Sequence, residues 1–131
     1  MTTIQDAIDQ RVVILDGGLA TELHHAGIPM LPPRFSAQAL LSADGRAAVR
    51  RAHAEFLAAG ADVITANTFR TNLRALRNVG ADAEAAERLT RVAVDLADQA
   101  VREHASRDAV VAASVAPLED CYDPSAVPDD R

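Results

Sequence analysis

Apolar residues along this chain change period several times, and each change marks an element. Residues 12–15 are uniformly apolar and stop at Asp16-Gly17-Gly18. A short run without alternation, ended by an acid and two glycines, predicts a buried parallel strand entering a turn. Residues 27–35 carry Pro29, Pro32 and Pro33, which predicts a loop because proline removes donors and holds its predecessor extended. Ser36 can cap a short helix through Leu41. From Ala47 to Ala59 the period becomes helical, with Val49, Ala52, His53 and Phe56 on one face and Gly60 as the stop. Residues 62–69 predict a second strand, apolar first and polar at its end. Thr71 can cap a helix over residues 72–79. Asp82 can cap a longer one reaching about His104, with Leu89, Val92, Ala93, Leu96 and Ala100 as its apolar stripe. Glu84 and Glu87 near its start suit the helix dipole. Residues 109–114 predict a third strand, and residues 116–131 a loop.

Strands alternating with helices argue for a parallel sheet, since parallel neighbours need crossover connections. The chain is 131 residues long, which reads as one domain. Its net charge of −6, without Lys/Arg runs, argues against nucleic acid or an anionic membrane as partner. The apolar runs are too short to span a bilayer, and residues 1–10 lack the apolar stretch of a signal peptide. A cytoplasmic location is the expectation. The single cysteine, Cys121, makes no internal disulfide. Its acidic neighbours Glu119, Asp120 and Asp123 argue against an activated nucleophile.

Polar and glycine residues gather where all three strands end: Asp16-Gly17-Gly18, Thr65 to Thr68, and Ser114. Ligands of parallel α/β folds bind at that edge. Asp16 follows four apolar residues, and a carboxylate there needs a partner. A ligand ammonium would supply one, while the Gly17 and Gly18 N–H groups can receive a carboxylate. The alternative is a turn whose aspartate caps local N–H groups. Thr65 and Asn67 fall on one side of their strand and Thr68 on the other. For Asn67, ligand contact and bracing of a loop are both open. His53 reads as a packed core histidine. No HExxH or CxxC spacing suggests a metal site.

Three stretches carry a family resemblance. Leu15-Asp16-Gly17-Gly18-Leu19-Ala20-Thr21-Glu22-Leu23, HAEFLAAGADVITANTF over residues 53–69, and VAASVAP over residues 111–117 resemble, in order, the opening strands of homocysteine S-methyltransferases. Many members have glycine where Ala113 and Ala116 stand. The resemblance implies a (β/α)₈ barrel that binds homocysteine through a zinc ion held by three cysteines. The metal-bound thiolate attacks the methyl group of an onium or methyl-carrier donor, and methionine results.

Carried over, Asp16 is expected to hold the homocysteine amino group, and Gly17 and Gly18 to meet the amino acid through their backbone. Thr65, Asn67 and Thr68 are expected near the sulfur and the donor. Arg70 stands where some members place an aromatic against their donor, which argues against a betaine-type site. The family's zinc cysteines come from later strands, and Cys121 matches none of them. The chain is therefore expected to be the N-terminal part of the domain over residues 1–131, about three βα units, binding no zinc alone. A full barrel needs roughly 250 residues, so an open edge and self-association through it are expected. A different α/β enzyme using Asp16 as acid or base is the remaining alternative.

Overall fold

In the computed structural model, residues 4–106, 108–117 and 121–126 are described. Glu119, Asp120 and the end of the expected tail loop lie outside them. Helix α1 spans Ile4–Gln10 and α2 spans Leu19–His25. A 3₁₀ helix, Phe35–Leu41, leads into α3, Ala43–Ala58. Strand β1, Val63–Ala66, follows. Next come the short α4, Leu73–Arg77, and the long α5, Ala83–His104. Strand β2, Val110–Ala113, comes last before a 3₁₀ turn at Pro124–Ala126.

β1 and β2 pair in parallel, with Val63 opposite Val110 and Ala66 opposite Ala113. Residues 12–16 add to the other side of β1. Leu15 bridges Val63 in parallel, and the Asp16 N–H donates to the Val63 carbonyl at 3.0 Å. Three parallel segments therefore lie side by side in chain order, each joined to the next through helices. α3 and α5 pack against one another and against β1. Small residues let them approach: Ala48 and Ala52 on α3, and Ala93, Ala97 and Ala100 on α5, are all buried. Leu57, Ile64 and Ala97 form the core between helices and sheet. Leu89, Val92, Ala93 and Leu96 of the expected α5 stripe pack in the cluster with Ala37 and Leu40.

The structure corrects several expectations in detail. The segment at residues 12–15 is parallel but not buried: Val12 is 84% exposed and Leu15 67%. It has a sheet neighbour on one side only, so uniform hydrophobicity marks here a surface left uncovered. α3 starts earlier than its apolar period does, because the Ser42 hydroxyl accepts from the Gly45 N–H at 3.0 Å and caps it. Thr71 does not cap α4. Asn72 does, accepting from the Ala75 N–H, while the Thr71 hydroxyl donates to the Thr68 carbonyl. Ser36 lies within the 3₁₀ helix, and its hydroxyl turns to Asn67 instead of capping. Gly60 ends α3 as expected, with φ +99°, and the Ala61 N–H reaches back to the Phe56 carbonyl.

An ion pair between an exposed arginine and a buried aspartate fastens the exposed first segment. The Arg11 guanidinium donates to both Asp62 oxygens at 2.7 and 2.9 Å, and the Ile14 N–H donates to Asp62 Oδ2. Asp62 is only 2% exposed. Asp62→Ala strands the Ile14 donor and is expected to cost about 1–3 kcal/mol. In thermal unfolding this is a melting temperature lower by roughly 3–12 °C. An unchanged transition would mean that residues 11–15 contribute nothing to the cooperative fold.

Candidate functional site

The chain's expected site residues sit together at the C-terminal ends of the parallel segments, but they do different work. Asp16 is half-buried where the first segment ends. Its Oδ2 accepts from the Thr65 N–H at 2.7 Å and its Oδ1 from the Thr65 hydroxyl at 2.8 Å. Thr65 thus grips both carboxylate oxygens from the neighbouring strand. A carboxylate has about four acceptor sites, so this leaves capacity for a cation. Among the described residues, the Gly17 and Gly18 N–H groups make no hydrogen bond to protein. Both glycines are exposed. A Cβ on Gly17 would come within 2.7 Å of the Phe56 ring. A side chain at this position would therefore have to displace the Phe56 ring of α3 behind the turn.

Asn67 and Thr68 are braces. Asn67 is 4% exposed. Its Nδ2 donates to the Ser36 carbonyl at 2.9 Å, and its Oδ1 accepts from the Ser36 hydroxyl at 2.7 Å. It ties the end of β1 to the 3₁₀ helix that closes one side of the opening. The Thr68 hydroxyl donates to the Ser114 carbonyl and accepts from the Ser114 N–H, at 2.8 and 2.9 Å, which locks the ends of β1 and β2 together. Of the two roles left open for Asn67, the observed contacts are those of bracing.

Two features went unforeseen. Arg70 sits among aromatic rings: its guanidinium carbon is 5.0 Å from the Phe35 centroid, 5.3 Å from Phe69 and 5.9 Å from Tyr122. Its Nη2 lies 3.8 Å from Cys121 Sγ. The acids beside Cys121 in sequence gave no hint of this cation. The chain buries this cation against aromatics, at 8% exposure. Arg70 also helps to line a cavity of about 700 Å³ with Asn72, Arg74, Arg77 and Pro117. The second feature is His53. It is fully buried as expected, but neither ring nitrogen has a hydrogen-bond partner. Burial lowers its pKa, and the nearby negative charge of Asp16 opposes that shift.

A parallel α/β unit with an acid and open glycine N–H groups at its strand ends belongs to the class that binds small polar ligands at that edge. The comparisons narrow the class. The family model described as homocysteine S-methyltransferase matches residues 13–131, and the chain belongs to that family. Homocysteine S-methyltransferase 2 of Zea mays is 36% identical over 95 residues, covering 72% of this chain and 27% of that protein. Selenocysteine Se-methyltransferase of Brassica oleracea var. italica is 34% identical over 87 residues, covering 66% and 25%. The metallated crystal structure of the homocysteine methyltransferase MmuM from Escherichia coli superposes with a TM-score of 0.77 at 25% identity, covering 87% of this chain and 41% of that one. The chain thus spans about a quarter of the length of these two curated relatives.

Proposed function

We propose that this chain supplies the amino-acid-binding part of a methyltransferase that acts on the side-chain thiol of homocysteine, within a (β/α)₈ barrel of which it forms the first three units. The observation that carries the proposal is the Asp16 carboxylate. It is held by both donors of Thr65 at the C-terminal edge of a parallel sheet, next to two glycines with open N–H groups. Asp16 receives the ligand ammonium, and the Gly17 and Gly18 N–H groups receive its carboxylate. Thr65 fixes the rotamer of Asp16, so little ordering remains when the ligand arrives. Asn67 and Thr68 hold the rim rigid. The relatives are named for homocysteine and for selenocysteine, amino acids that differ in chalcogen and chain length but share the α-amino acid end. That shared end is what this site reads.

The family resemblance implies a zinc ion that turns the substrate thiol into a thiolate. The donor set here does not fit one: among the described residues no three His, Cys, Asp or Glu side chains come together, and Cys121 is exposed. Thiolate activation is therefore assigned to none of the described residues. The expected behaviour of the isolated chain is binding without methyl transfer from an onium or methyl-carrier donor to give methionine. Thermal unfolding with and without L-homocysteine tests the binding. A ligand at 100 times its Kd raises stability by about 2.7 kcal/mol, while no response would overturn the reading. Zinc-dependent turnover by the pure chain would overturn the assignment of thiolate activation.

A second reading is favoured by exposed apolar residues on the first segment and just past the end of β2: Val12 at 84%, Leu15 at 67% and Val115 at 86%. On this reading the unit self-associates, or pairs with a complementary barrel half, through its open strand edges. Sedimentation velocity is expected to show concentration-dependent association. A monomer at all concentrations would remove this reading.

A further inference from the structure

We propose that His53 is a positioning residue for the amino-acid site, completing the hold on Asp16 by an imidazole hydrogen bond made when the ligand is bound. The inference rests on the reading of Asp16 as the ammonium acceptor.

His53 is fully buried, yet both its ring nitrogens are without a partner. Buried polar atoms are paired in the large majority of cases, because leaving one unmet costs about 1–3 kcal/mol. A histidine kept in this condition has a use for its polarity in some other state. Its position identifies the state. His53 and Phe56 lie three residues apart on α3, so they share a helix face. Phe56 is the residue packed behind Gly17. The charge that acts on His53 is that of Asp16. The histidine therefore stands behind the same turn whose front receives the ligand.

The acceptor count on Asp16 fits this assignment. Thr65 occupies one site on each carboxylate oxygen, and about two remain. One takes the ligand ammonium. The other takes the N–H of a neutral imidazole, which the dry surroundings of His53 favour. With the ammonium fixing the carboxylate from the front, a rotation of the ring brings one N–H onto the remaining acceptor site from behind. His53 touches no substrate atom and acts only through Asp16.

The test uses the 131-residue chain with L-homocysteine as probe. His53→Leu replaces the unmet ring by carbon of similar volume. Its unliganded melting temperature is expected to equal or exceed that of the parent, while its affinity for L-homocysteine falls about tenfold. His53→Gln, which restores a donor and an acceptor, is expected to recover most of the affinity. In the parent chain, the His53 side-chain ¹⁵N resonances are expected to move on adding L-homocysteine, a readout that core packing alone would not change. Full affinity in His53→Leu overturns the inference and leaves the Asp16 reading intact, and so do ¹⁵N resonances that stay still while the parent binds. If His53→Leu does not fold, the ¹⁵N measurement decides. A parent chain that binds no L-homocysteine overturns the reading of the site and this inference with it.

Discussion

Gly45→Ala is expected to destabilise the fold strongly, although alanine is normally the better residue inside a helix. Replacing a helical glycine by alanine ordinarily gains roughly 1 kcal/mol. At Gly45 the added Cβ would stand 2.1 Å from the Ala39 carbonyl oxygen and 2.7 Å from the Ala39 Cα. Both are backbone atoms, so no rotamer change can relieve the overlap. The 3₁₀ helix Phe35–Leu41 would have to move away from α3. It carries Ala37 and Leu40, which are buried at 0% and 1% exposure, so movement opens the core around α5. Overpacking of this kind costs typically 1–3 kcal/mol and sometimes more, and contact with backbone puts this case at the upper end. Circular dichroism is expected to show a melting temperature lower by about 10 °C or more, or no cooperative transition. A variant as stable as the parent would show that the 3₁₀ helix is free to shift without cost.

This glycine also shows why parts of the fold escaped the sequence. Asp44-Gly45 has the composition of a turn, and the apolar period starts only at Ala47. Only the contact with Ala39 explains a glycine in the first turn of α3. Long periodic elements were readable because one signal recurs many times: the α5 stripe from Leu89 to Ala100 and its Asp82 cap stand where the pattern puts them. α2 was missed because a helix of seven residues offers barely two turns of pattern. The cap of α4 differs from the expectation because two capable side chains are adjacent. Thr71 and Asn72 are both good caps, and the choice between them came from Thr90, whose hydroxyl lies 2.7 Å from that of Thr71. No local rule contains that contact.

The candidate site divides in the same way. Asp16, Gly17 and Gly18 stood out because charge and conformational freedom are unusual after an apolar strand. Their partner Thr65 stood out only as one polar residue among several. The braces Asn67 and Thr68 could be named from sequence but not given their work, since that depends on Ser36 and Ser114 arriving from other elements. His53 was correctly placed in the core. That its nitrogens are unmet is a property of the packed state alone, because the helical period reports burial and carries no information on hydrogen-bond partners.

Asp16→Asn is expected to separate the ligand role of this carboxylate from its structural one. Asparagine keeps the shape and one acceptor oxygen. Its Oδ1 can take the Thr65 N–H, and its Nδ2 can donate to the Thr65 hydroxyl, which rotates to accept. The two links between Asp16 and Thr65 therefore survive in altered polarity, and the unliganded melting temperature is expected to change little. The negative charge does not survive. A charge-assisted hydrogen bond contributes about 1.5–3 kcal/mol, so affinity for L-homocysteine is expected to fall roughly 10- to 150-fold. Asp16→Ala would lose both, because it leaves the Thr65 donors unpaired, and it cannot tell the roles apart. Calorimetric titration of the asparagine variant measures the affinity, and a thermal scan without ligand controls for the fold. Parent-like affinity would mean that Asp16 is a strand-end cap for Thr65. A stable variant that no longer responds to homocysteine would mean that the carboxylate is retained for the ammonium, with Thr65 serving to aim it.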